Sequence, residues 1–254
     1  METFTRFLPF ASCIISFVFA GLLFRRYLQR KGLHLLLWAV GMVFYGIGGF
    51  AEAYYVALGW EPTVFRLWYL FGAILVAAWL GQGTVYLLAR RRWAHVCMVI
   101  LGAASLFALY RVFTAELNPA LMSSSLHTGA ELSGQAIVSG GVRTLTPFFN
   151  VYGTLTLVGG AAWSAWIFWR KLILPHRVVG NVLIAAGALL PAFGGTFSRF
   201  GLPGALYLAE FLGAILMFAG FIRATSPVRE PTGEPKGEPK GEPTGEPTAK
   251  PTAG

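Results

Sequence analysis

Two glutamates stand deep inside apolar sequence: Glu52, in GMVFYGIGGFAEAYYVAL, and Glu210, in ALYLAEFLGAILMFAGFI. A carboxyl group in hydrocarbon is costly, so it turns toward a protein interior or a watery cavity. Each lies about 9 Å inside the same end of its run at helical rise. Near that level stand Arg66, Arg111 and Arg199, together with Asn150, Tyr54, Tyr55, Tyr152 and Tyr207. Two acids and three guanidiniums at one depth can pair, as Glu52 with Arg66 and Glu210 with Arg199. They can also line a polar pocket that binds a small solute or carries protons. Glu52, Glu210, Arg66, Arg111, Arg199, Asn150 and Tyr207 are therefore the candidate ligand-binding or proton-coupling residues. The competing structural reading has the arginines reaching the membrane surface and the glutamates tying helices together.

Other polar groups carry weaker signals. Gln82 and Asn181 lie deeper, where a single amide usually hydrogen-bonds a neighbouring helix. His34, His95 and His176 each stand among basic residues at the start of a run, which disfavours a bound cation. His127 and Glu131 have the i, i+4 spacing of two ligands on one helical face, but two ligands do not make a metal site. Cys13 and Cys97 fall inside apolar runs, where free cysteine behaves as a small hydrophobe. Pro191, between Gly187 and Gly194-Gly195, removes one backbone hydrogen bond and is a candidate hinge.

Several chemistries find no motif. There is no Walker loop, no Rossmann glycine fingerprint and no His-Glu-x-x-His pair. No Gly-x-Ser-x-Gly elbow occurs. All eleven acids are glutamates, so the aspartate-rich magnesium motifs of membrane prenyl and phosphoryl transferases have no counterpart. No catalytic residue, metal or cofactor is expected.

The elements that must position these residues are seven apolar runs, near 7–26, 34–58, 63–88, 93–115, 147–170, 177–199 and 203–223. Roughly 20 apolar residues cross the ~30 Å hydrocarbon core of a bilayer. Composition agrees: 56% of the 254 residues are hydrophobic and only 12% charged, with a mean hydropathy of +0.61. The net charge of +9 collects at the ends of the runs rather than along one face, so nucleic acid is not an expected partner.

The basic residues also orient the runs. Arg25, Arg26, Arg30, Lys31, Arg90, Arg91, Arg92, Arg170, Lys171 and Arg177 all fall on one side. The other side and its run ends hold Arg6, Arg66, Arg111, Arg143 and Arg199. The positive-inside rule places the first side in the cytoplasm, with the N-terminus outside and the C-terminus inside. Trp60 and Trp68 are expected as anchors at the outer boundary, and Trp38, Trp93 and Trp169 at the inner one. In the first run the charges follow the apolar residues instead of preceding them, so an uncleaved helix is expected and not a signal peptide.

The fold expected is all-α: an integral membrane bundle of seven helices over residues 1–226, in a plasma or inner membrane. A long outer loop spans 116–146. Residues 227–254 form a Glu-Pro-Thr/Lys-Gly repeat tail whose prolines and lack of apolar side chains predict disorder. A parallel duplication of three helices, one linker helix and three helices is a further expectation. It rests on Gly-Ala-Ile-Leu at 72–75 and 213–216, and on Gly48-Gly49 echoed by Gly194-Gly195.

Runs two and three carry Trp38, Leu67-Trp68-Tyr69, Gly72, Trp79-Leu80 and Tyr86-Leu87 before Arg90. In that placement the region resembles the N-terminal seven-helix sensor region of bacterial histidine kinases. The resemblance covers about a quarter of the chain and implies a signal-input module. After the seventh run comes only the repeat tail, so a membrane or cytoplasmic signalling partner would supply the output. The function expected is that of a sensor-like or ligand-binding membrane module with an outward-facing polar pocket. Alternatives are a small secondary transporter using Glu52 and Glu210, or an assembly subunit of a membrane complex. The bilayer itself is the one partner every reading shares.

Overall fold

Apolar residues on every side of a helix, not on one stripe, mark a segment surrounded by apolar material. The computed structural model describes residues 2–119, 136–138, 140–172, 174–202 and 204–226, without the side chains of 2–4 and Arg199. Seven helices there are long and apolar enough to cross a membrane. We number them α1 Glu2–Arg30, α2 Leu33–Leu58, α3 Pro62–Leu88, α4 Arg91–Thr114, α5 Gly140–Arg170, α6 Pro175–Arg199 and α7 Ala205–Thr225. Large apolar side chains cover the outside, among them Ile14, Val99, Leu106, Leu155, Trp163 and Phe193. A bundle apolar both inside and out is membrane-embedded. The repeat tail, His127 and Glu131 lie outside the described residues.

The helices pack as a ring. α1 lies on α2, α2 on α3, α3 on α5, α5 on α6, α6 on α7, and α7 returns to α1. α4 sits outside this ring, against α3 and the start of α5. Below those contacts a lateral cleft of ≈ 270 Å³, lined by Ile100, Leu101, Phe148 and Phe149, separates it from α5. The order is that of two three-helix sets, α1–α3 and α5–α7, joined by a peripheral helix. Each set even carries a matching seam. A Cβ at Gly48 would lie 3.0 Å from Gly72 Cα, and one at Gly187 would lie 2.8 Å from the Gly213 carbonyl oxygen. Gly48 thus meets Gly72 within α1–α3, and Gly187 meets Gly213 within α5–α7. Gly194 packs on Ala205 and Ala209.

Close approach at glycine organises α6 and α7. Gly180, Gly187 and Gly194 recur every seventh residue on α6 and face Gly220, Gly213 and Ala209 of α7. A seven-residue repeat returns to the same helical face, and missing side chains let the backbones meet. Pro191 fits this seam. Its ring leaves the Gly187 carbonyl without its usual donor, and that oxygen faces Gly213. α6 nevertheless runs unbroken from Pro175 to Arg199.

α3 and α5 each contain a π-helical turn, Trp68–Leu75 and Thr154–Val158. Such turns loosen the backbone ladder and leave carbonyls needing other donors. Asn150 Nδ2 on α5 donates to the Ala73 carbonyl at 3.0 Å, inside the α3 turn. α5 starts at Gly140, earlier than the expected run end at 147. Val142 is buried there and Thr146 Oγ1 lies 3.0 Å from the Tyr69 hydroxyl. Tertiary burial keeps this glycine-rich start helical. The segment before it is pinned to the end of α4 by Asn118 N–H to Ala136 O at 2.9 Å and Val138 N–H to Glu116 O at 3.1 Å.

One end of the bundle gathers the basic residues over aromatic faces. Arg26 lies over Phe221, Arg92 over Trp93, Arg170 over Trp166 and Arg177 over Phe168, at 4.8–5.6 Å. Arg26 Nη1 also donates to Thr225 Oγ1. Arginines placed this way rest their planes on apolar rings while their charge reaches the surface.

Candidate functional site

Glu52 on α2 is wholly buried. Its Oε1 accepts a 3.0 Å hydrogen bond from Trp68 Nε1 on α3, while Oε2 has no hydrogen-bond partner among the described residues outside the Glu210 carboxyl. The π turn that begins at Trp68 sets where this indole points. Glu210 on α7 comes beside Glu52, so the two carboxyl groups interact directly across the ring. The sequence reading placed them at one depth; the fold brings them together.

Tyr45 holds the second helix of this pair. Its hydroxyl donates to the Glu210 backbone carbonyl at 2.9 Å, and a Cβ at Gly213 would lie 3.3 Å from that hydroxyl oxygen. Tyr45 precedes Glu52 by seven residues, two helical turns on the same face. α1 adds Ser12 and Ser16, both fully buried. Ser16 Oγ donates to the Ser12 carbonyl at 2.7 Å, while Ser12 Oγ has no hydrogen-bond partner among the described residues. Contacts of Gly204 with Thr5 and of Phe19 with Phe218 set the register of α1 against α7. That register places Ser12 level with Glu210.

An aromatic cluster seals the pair toward the arginine-poor end. Tyr55 stacks on Trp60 at 4.6 Å, Trp60 meets Phe65 at 5.5 Å, and Phe65 meets Trp68 at 5.9 Å. Trp60 enters this cluster because Gly59, with φ +87°, ends α2 in a conformation that favours glycine. Trp60 and Trp68 are 8% and 5% exposed, so they are core residues and not the interfacial anchors expected of them. Trp93 and Trp169 are exposed at the other end, as an anchor would be. Trp38 turns inward and donates to the Leu80 carbonyl at 3.1 Å.

The remaining candidates lie apart from the carboxyl pair. Arg66 Nη2 donates to the Ala115 carbonyl at 3.0 Å, capping the end of α4, and its Nε makes no hydrogen bond among the described residues. A cation there suits the negative end of the helix, and Arg66 forms no ion pair with Glu52. Arg111 reaches the start of α5, where a Cβ at Gly141 would stand 2.8 Å from its Nη2. Asn150 serves the α3 backbone, as above. Tyr207 is buried one turn before Glu210 on α7. The side chain of Arg199 lies outside the described residues, so its pairing with Glu210 has no geometry. Gln82 behaves as interhelical glue. Its Nε2 donates to Ala94 O at 2.8 Å and its Oε1 accepts from Tyr152.

A separate cavity of ≈ 60 Å³ lies on the ring axis in the arginine-rich half, reached by side chains of all six ring helices. Met42, Leu80, Leu157 and Met217 form its apolar wall, and Thr84, Ser164 and Asn181 bring polar groups to it. No group of three or more histidine, cysteine or acidic side chains suited to a metal occurs among the described residues. No protein-family model, curated protein or solved structure matches this chain.

Proposed function

We propose that the chain is a sensor-like, ligand-binding module of the plasma or inner membrane, N-terminus outside and C-terminus in the cytoplasm. Its switch is the Glu52–Glu210 pair, which holds the two three-helix sets together through a shared proton. The observation that carries this reading is the meeting of the wholly buried Glu52 carboxyl with the half-buried Glu210 carboxyl, one from each set. Two carboxylates side by side repel, whereas one proton between them makes a hydrogen bond. Loss or gain of that proton therefore changes how α2 and α7 attract each other. Ten basic residues at one end support the orientation. The Leu67-Trp68-Tyr69 stretch in the sensor-like region supplies, among the described residues, the one hydrogen bond that Glu52 accepts from outside the pair.

Infrared spectra of the full chain in lipid nanodiscs test the switch. A carbonyl band from a protonated carboxyl is expected in the wild type and absent from the Glu52→Gln, Glu210→Gln double variant. A wild type lacking that band at every pH where it stays folded would overturn the reading. A second reading, a small secondary transporter, is favoured by a different observation. The cavity lies on the axis between two three-helix sets, where carriers built from repeats bind their substrates.

A further inference from the structure

The axial cavity has its own chemistry, independent of the carboxyl pair. None of its lining side chains is charged. Thr84, Ser164 and Asn181 all line it, and among the described residues none of the three makes a side-chain hydrogen bond. Polar groups at membrane depth ordinarily find a partner on a neighbouring helix, as Gln82, Trp38 and Asn150 do here.

These three groups are also collected at one level. Thr84 stands six residues from Arg90, Ser164 six from Arg170 and Asn181 four from Arg177. At helical rise that is about 6–9 Å from the arginine-rich surface. The apolar wall of Met42, Leu80, Leu157 and Met217 reaches further toward the middle of the bundle. Trp38 offers only its ring face, because its N–H is held by Leu80. The cavity thus grades from hydrogen-bonding at its basic end to hydrocarbon-like at its inner end.

We propose that this cavity, at ≈ 60 Å³, binds an uncharged solute of about four heavy atoms, with its hydrogen-bonding group against Asn181, Ser164 and Thr84 and its methyl group toward Met42 and Met217. A charged ligand would meet no countercharge there and would bear the full cost of desolvation. A head that both donates and accepts, such as a primary amide, matches the Asn181 side chain group for group.

Saturation-transfer NMR of acetamide with the full chain in lipid nanodiscs tests this, with protein-free nanodiscs as the blank. A saturable signal is expected from the wild type. Asn181→Ala, which removes the amide without crowding the cavity, should weaken binding about fivefold to tenfold. Absence of a saturable signal, or equal binding by a folded Asn181→Ala variant, overturns the proposal. A single cysteine at Met217, in a chain whose Cys13 and Cys97 are replaced by serine, locates the site whatever the Asn181 variant does. Slower reaction of Met217→Cys with a small thiosulfonate in saturating acetamide supports it. An unchanged rate at Met217→Cys overturns it.

Discussion

Among the described residues, Glu52 depends on a single donor from outside the carboxyl pair. A wholly buried carboxyl oxygen that loses its hydrogen bond costs the bundle about 1–3 kcal/mol. Trp68→Phe keeps an aromatic ring in the cluster and removes the N–H that reaches Oε1. The variant should therefore unfold at lower temperature in detergent than the wild type. In a Glu52→Met background no acceptor is left to orphan, and Trp68→Phe should cost little further. An equal loss in both backgrounds would mean that the indole matters only as packing. At this scale the sequence was informative about residue type and depth, less so about partners. Glu52 and Glu210 stand out because charge in hydrocarbon is rare, and Tyr45 could have been added from its seven-residue spacing to Glu52. Trp68 carries no such local signal. Its partnership arises from the packing of α3 on α2 and from a π turn that periodicity does not announce. The pairing of Glu52 with Arg66 failed for a related reason: equal depth does not mean equal azimuth, and Arg66 faces the end of α4.

Among the elements, the α6–α7 seam makes the sharpest structural demand. Alanine in the middle of a helix is normally better than glycine by about 1 kcal/mol. At Gly213 the added methyl would sit 2.7 Å from the Gly187 carbonyl oxygen and 3.3 Å from Pro191 Cδ. Backbone atoms cannot swing aside, so crowding outweighs propensity, and Gly213→Ala should destabilise by about 1–3 kcal/mol. Gly195→Ala is the internal control. Its methyl would meet nothing closer than Leu206 Cδ1 at 4.0 Å, and the variant should match or slightly exceed the wild type in thermal stability. Similar losses in both would show that the seam is looser than its geometry indicates. The seven runs were legible because lipid requires long apolar helices, and their ends were found to within a few residues at most positions. The start of α5 was not legible. Gly140-Gly141 reads as loop, and only burial of Val142 and the Tyr69–Thr146 contact keep that start helical. Pro191 was singled out as a hinge, yet its visible effect is to free the Gly187 carbonyl that faces Gly213. In that place the proline serves close packing of α6 on α7.

For the whole molecule, the ring links topology to the position of both sites. The carboxyl pair lies in the arginine-poor half beneath an aromatic cluster, and the cavity lies in the arginine-rich half. Which compartment each half faces therefore decides from which side a ligand or a proton arrives. Ten basic residues at one end favour the cytoplasm for the cavity, with the carboxyl pair nearer the outside. Two exposed turn residues report on this directly: Leu172, 88% exposed between α5 and α6, and Phe200, 82% exposed between α6 and α7. Cys13 and Cys97 are replaced by serine, and a single cysteine is placed at one turn or the other. A membrane-impermeant maleimide applied to intact cells should label Phe200→Cys at once, and Leu172→Cys only after permeabilisation. The reverse pattern would invert the bundle, turning the cavity outward and the carboxyl pair toward the cytoplasm. Both sites would keep their internal geometry, but the proposed direction of signal entry would be lost.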